Sequence, residues 1–213
     1  ERQALRALLQ AELPVLGAHG GLRAAALSDD GTLLATASRE DLPRLWRVPG
    51  GAAADALLAP EARSGVPGGG VSAMAFAADG RSLWVGGGDG SVRRVPLAGC
   101  AQADGEDERC GPLVLPAHRG PVRMLRATAD LLLSVGADGW ARVASARSGA
   151  ALAAHDGDFI SASLDAGHLF LGGADGAVRA LPTPPTLPAA LQAACALLRS
   201  QPEAPQARAA CAR

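Results

Sequence analysis

The sequence contains no lysine, no asparagine and no tyrosine, and all 20 of its basic residues are arginine. Without lysine there is no amine to form a Schiff base with a carbonyl substrate and none to reach the phosphates in a Walker-type loop. Without asparagine there is no acceptor for N-linked glycans. Aromatics are only 3% of the chain: Phe76, Phe159, Phe170, Trp46, Trp84 and Trp140. A core so poor in rings must be assembled from Ala, Leu, Val and Gly in many similar layers, which suits a repeat array better than one bulky core. The net charge is −1, so no cationic field draws in nucleic acid or an anionic membrane surface. No apolar run reaches the roughly 18 residues needed to span a bilayer, and no signal-peptide pattern opens the chain.

What the 213 residues do contain is a repeat. Four segments align. The first joins His19 to AAALSDDGTLLATASRE and ends at Trp46; the second joins Gly70–Val71 to SAMAFAADGRSLWVGGG and then DGSVRRV. The third runs from His118 through MLRATADLLLSVGA to DGWARVA, the fourth from His155 through SASLDAGHLFLGGA to DGAVRAL. His118 to Asp138 and His155 to Asp175 are both 20 positions, and His19 to Glu40 is 21. Asp-Gly between short apolar runs is a strong hairpin signal, so each unit reads as antiparallel strands of about five residues within a period of about 40.

This pattern resembles the WD-repeat family, whose units read Gly-His, then Ser-Pro-Asp-Gly, then Asp-Gly-Thr-Val-Arg-Leu-Trp. The resemblance spans about Leu13 to Pro182. It departs at Glu40, where the family has Asp, and at Val95, Ala144 and Leu181, where it has Trp. It implies an all-β propeller of about four blades over residues 13–182, with units at about 19–48, 70–97, 118–146 and 155–182. Residues 1–12 and the 183–213 tail, which follows prolines, carry leucines at helical spacing and read as short terminal helices. If four units close into a ring, Leu13–Leu16 is expected to clasp Val178–Leu181 as an outer strand.

The resemblance also assigns His19, Glu40, Trp46, Asp89, His118, Asp138, His155 and Asp175 to the blades as structural residues. His and Asp are expected to bond within one blade through a strand hydroxyl, Ser38 or Ser134. His19, His118 and His155 belong to different units, so they do not converge on a metal, which needs three or four ligands. No catalytic residue, cofactor site or metal site is expected. The glycine runs 68–70 and 86–90 lack the lysine and the following helix of a phosphate loop. Trp84 and Trp140 fall outside the family's Trp position, which leaves two readings: contacts for a partner, or wedges packed between blades. Cys100 with Cys110 and Cys195 with Cys211 lack metal or redox spacing. Free thiols in a cytoplasmic protein are favoured, and two disulfides would instead indicate an extracytoplasmic one.

The resemblance implies a non-catalytic scaffold or sensor that binds a protein or peptide. The alternatives are a propeller-type hydrolase or lyase, or a purely structural assembly domain. The chain opens at Glu1 rather than Met, and its composition suggests a GC-rich genome. Its flanks resemble the ends of propellers in large bacterial signalling proteins, so it reads as one part of such a protein.

Overall fold

The computed structural model describes residues 21–38, 43–48, 69–97, 113–165 and 167–183. These residues form fourteen strands in four antiparallel sheets, and within each sheet every strand pairs with the next in the chain. Blade 1 comprises β1 (Leu22–Leu27), β2 (Leu33–Ser38) and β3 (Arg44–Arg47). Blade 2 comprises β4 (Val71–Phe76), β5 (Ser82–Gly87), β6 (Ser91–Pro96) and β7 (Leu113–Pro116). Blade 3 comprises β8 (Val122–Ala127), β9 (Leu131–Gly136), β10 (Trp140–Ser145) and β11 (Ala151–Asp156). Blade 4 comprises β12 (Phe159–Leu164), β13 (His168–Gly173) and β14 (Val178–Pro182). The described residues contain no helix long and apolar enough to cross a membrane. The expected terminal helices and the Leu13–Leu16 clasp lie outside the described residues.

The Asp-Gly turns make the hairpins. Gly90 and Gly139 both have φ of 82° and Gly176 has 78°, a backbone region where a Cβ is disfavoured and glycine is not. The four blades also share one irregularity. The first strand pairs with the second at Leu22↔Ser38, Val71↔Gly87, Val122↔Gly136 and Phe159↔Gly173, and in each case the register slips just after that pair. A bulge at the same place in every first strand adds the same local twist and marks the four sheets as copies of one structural unit.

That registration makes the blades comparable residue by residue. Trp46, Val95, Ala144 and Leu181 occupy one position, facing Leu34, Leu83, Leu132 and Leu169 across the second and third strands. The core lies in three seams between consecutive blades. Blades 1 and 2 share a cluster including Ala35, Leu45, Val71, Met74 and Phe76. Blades 2 and 3 share Trp84, Val92, Val122, Leu125 and Leu132. Blades 3 and 4 share Leu133, Ala141, Phe159, Leu169 and Leu171. No apolar cluster joins blade 4 to blade 1 among the described residues.

Small residues let the blades approach. A Cβ on Gly86 of β5 would lie 2.7 Å from Val122 of the next blade. Beside it, the Ser72 hydroxyl donates to Gly86 O at 3.1 Å or to Val122 O at 2.7 Å, bridging blades 2 and 3.

Candidate functional site

The most polar cluster among the predicted residues sits in blade 3. His118 lies on the five-residue connector from β7 to β8, and Asp138 on the turn from β9 to β10. His118 Nδ1 is 2.9 Å from Asp138 Oδ1, and His118 Nε2 is 2.9 Å from Ser134 Oγ in β9. The Arg119 and Trp140 backbone N–H groups donate to the same carboxylate at 3.1 and 3.3 Å. Burial pushes the Asp138 carboxyl up, but the Arg119 N–H, the His118 ring and the Trp140 N–H outweigh it and hold the carboxyl down at about 2. Burial, the largest influence, together with the Arg142 charge lowers the His118 pKa against the raising effect of Asp138. The neutral ring is therefore favoured, donating from Nδ1 to Asp138 and accepting from Ser134 at Nε2.

Blade 1 holds a complementary fragment. Trp46 Nε1 donates to Thr36 Oγ1 at 2.7 Å, and Thr36 occupies the register position of Ser134. His19 and Glu40 lie outside the described residues, and so do all four cysteines.

Blade 4 departs from expectation: His155 and Asp175 are not brought together. The connector from β11 to β12 is only Gly157–Asp158, against Ala117–Pro121 before β8. The shorter link leaves His155 inside β11, opposite Ala141 in blade 3. Leu171 also stands where blade 3 has Ser134, so there is no hydroxyl for a histidine to reach. Asp175 instead pairs with Arg179 at 2.6 Å, which holds its carboxyl at about 2.

Sequence reasoning missed that arginine. Asp89–Arg93 at 3.9 Å, Asp138–Arg142 at 3.2 Å and Asp175–Arg179 repeat one turn-to-strand ion pair in three blades. The signal was DGSVR, DGWAR and DGAVR, with Arg always four residues after Asp. Asp89 also accepts from the Ser91 backbone N–H and hydroxyl, at 2.9 and 2.7 Å.

The two tryptophans part company. Trp84 is fully buried between blades 2 and 3, so it offers nothing to a partner. Its fit there depends on Val122 and Leu125 of the neighbouring blade. Arg94, itself buried, lies 5.6 Å over the ring and donates to the Arg147 carbonyl at 3.0 Å. Trp140 is half-buried at the start of β10, with the Arg142 guanidinium 5.4 Å over its ring. Arg142 in turn borders a groove of about 510 Å³ between blades 2 and 3, walled by Leu115, Ala117, Leu132, Val143 and Leu152. Among the described residues, no group of three or more His, Cys, Asp or Glu could hold a metal.

Residues 10–47 match the family profile WD40, described as "WD domain, G-beta repeat". No curated protein matches the sequence significantly. The fold is similar to the crystal structure of the computationally designed Ika4 protein, at 20% identity and TM-score 0.58, covering 80% of this chain and 97% of that one. It is also similar to the computationally designed Ika8 protein, at 19% identity and TM-score 0.56, covering 78% of this chain and 47% of that one. WD40 repeats generally mediate protein–protein interaction and are typically non-catalytic. With one WD40 repeat matched in sequence over residues 10–47 and four antiparallel blades following one another in space, the chain has the fold of a β-propeller array.

Proposed function

We propose that this chain is a non-catalytic scaffold or sensor module whose groove between blades 2 and 3 takes an extended peptide segment of a partner protein. The observation that carries this reading is the groove itself. Its walls are mostly apolar, Ser134 and Arg142 supply polar groups, and the Arg142 guanidinium stacks over the half-buried Trp140. Apolar walls with a few fixed polar groups, flanked by an aromatic anchor, are what peptide recognition uses. The edge of β11 along the groove also offers backbone groups for strand addition. A place in a larger cytoplasmic signalling protein fits the same role and belongs to the proposal.

The competing hydrolase reading has one observation in its favour. Asp138, His118 and Ser134 stand in acid–base–nucleophile order at hydrogen-bonding distances, the arrangement that activates a serine in hydrolases. Access argues against it. Ser134 borders the groove but is only 4% exposed, and the His118 side chain is fully buried, which leaves little of the hydroxyl open to a substrate carbonyl and none of the imidazole open to a leaving group. The cluster satisfies buried polar groups instead.

A displayed library of random peptides tests the proposal. Selected peptides should be rich in apolar residues and should lose binding about tenfold or more against Trp140→Ala and against Ala153→Arg, which fills the groove. A fluorophosphonate probe should leave Ser134 unlabelled. Failure to enrich any peptide, or binding indifferent to both substitutions, would reject the groove; labelling of Ser134 would revive the hydrolase.

A further inference from the structure

Every seam in this array is made by the same two faces. A trailing face, from the second and third strands of one blade, meets a leading face, from the first and second strands of the next. Trp84 and Val92 of blade 2 lie in one cluster with Val122, Leu125 and Leu132 of blade 3. Leu133 and Ala141 of blade 3 repeat the arrangement with Phe159 and Leu169 of blade 4. Four blades in a row make three seams, which leaves the leading face of blade 1 and the trailing face of blade 4 over.

Both spare faces carry apolar side chains at the positions that the internal seams bury. On the leading side, Leu22 occupies the register position of Val71, Val122 and Phe159. Those three are at most 2% exposed, whereas Leu22 is 59% exposed. Leu27, in the position of the buried Phe76, is likewise exposed. On the trailing side, Val178 occupies the position of Val92 and Ala141. It is 75% exposed where they are 1% and 0%. Phe170, in the position of the fully buried Trp84 and Leu133, is exposed too. Next to Val178 lies Gly172, the counterpart of Gly86, whose missing side chain makes room for Val122 of the next blade. Over Gly172 the Ser161 hydroxyl takes the space that Val122 fills over Gly86, so what the spare faces offer is Val178 and Phe170 on blade 4 and Leu22 and Leu27 on blade 1, each without a mate among the described residues.

We infer that the two spare faces pair head to tail with a second copy of this chain, so that blade 4 of each copy seats against blade 1 of the other. Three observations select this occupant. The two faces already match each other, because they are repeats of faces that pair three times within the chain. Two four-bladed arcs make eight blades, within the four to eight that propellers close with, and a third copy would exceed it. A head-to-tail pair that closes on itself under a two-fold axis leaves no exposed end, whereas an arc left open keeps exposed apolar surface and unpaired edges in water.

Light scattering after size-exclusion chromatography of the full chain is the test. A mass twice that of the chain is expected. Leu22→Arg and Val178→Arg, on opposite faces, should each give a monomer with an unchanged far-ultraviolet spectrum. The milder Leu22→Ser and Val178→Ser, at positions exposed in the single arc, should each weaken the dimer about tenfold or more. A monomeric parent chain would overturn the inference and assign the faces to other segments or partners. A dimer sensitive at only one of the two faces would overturn it as well, since a face would then be meeting its own copy. Peptide binding in the groove is separate from this outcome, because neither substituted residue borders it.

Discussion

His118 bonds Asp138 through one ring nitrogen and Ser134 through the other, both at 2.9 Å, and so ties the connector before blade 3 to that blade's second strand and its tight turn. Removing Asp138 takes the acceptor from the buried His118 Nδ1 and from the Arg119 and Trp140 backbone N–H groups. Asp138→Ala should lower stability by about 1–3 kcal/mol, the cost of breaking a buried hydrogen-bond network. Thermal unfolding followed by circular dichroism measures it; a variant that melts with the parent would show that the network holds nothing together.

The same pair gives the protein an acid limit. The folded His118 pKa lies below its ordinary 6.5, so the unfolded chain takes up that proton first and stability falls as pH drops below 6.5. The folded Asp138 carboxyl lies at about 2 against an ordinary 3.8, so its contribution is intact above 3.8 and is lost as pH falls from there toward 2. Both act in one direction. Denaturant midpoints should fall from pH 7 to pH 5 and again below pH 4, and His118→Gln should remove the first decline. A stability that rose on mild acidification would contradict the assignment of a neutral buried ring.

Gly86 tests the seam between blades 2 and 3. Because a Cβ there meets Val122 at 2.7 Å, Gly86→Ala should overpack the seam and cost about 1–3 kcal/mol. Gly80, on an exposed turn with open space around it, serves as the contrast: Gly80→Ala meets no neighbour and pays only for its φ of 65°. Equal losses at the two sites would mean that blades 2 and 3 are not in contact where the structure puts them.

The parts of this fold that depend on a residue and its near neighbours in sequence are legible before any coordinates. The Asp-Gly turns at 89–90, 138–139 and 175–176 are of this kind, as is the shared position of Trp46, Val95, Ala144 and Leu181. Features that depend on a neighbouring blade are not. The burial of Trp84 is set by Val122 and Leu125, some 40 residues away in sequence, and the exposure of Val178 by the lack, among the described residues, of a blade packed after blade 4. His155 is an intermediate case. Its spacing to Asp175 imitates that of His118 to Asp138, but Leu171 in place of Ser134 and a two-residue connector were both visible in the sequence. Either was enough to separate it from the pattern.

The central claim, that the groove between blades 2 and 3 receives a partner segment, is tested most directly by hydrogen–deuterium exchange with and without a selected peptide. Slowed exchange is expected in Leu113–Pro116, Trp140–Ser145 and Ala151–Asp156, the strands along the groove, with β12–β14 unchanged. Protection confined to blade 4, or no protection anywhere with peptide bound, would contradict it.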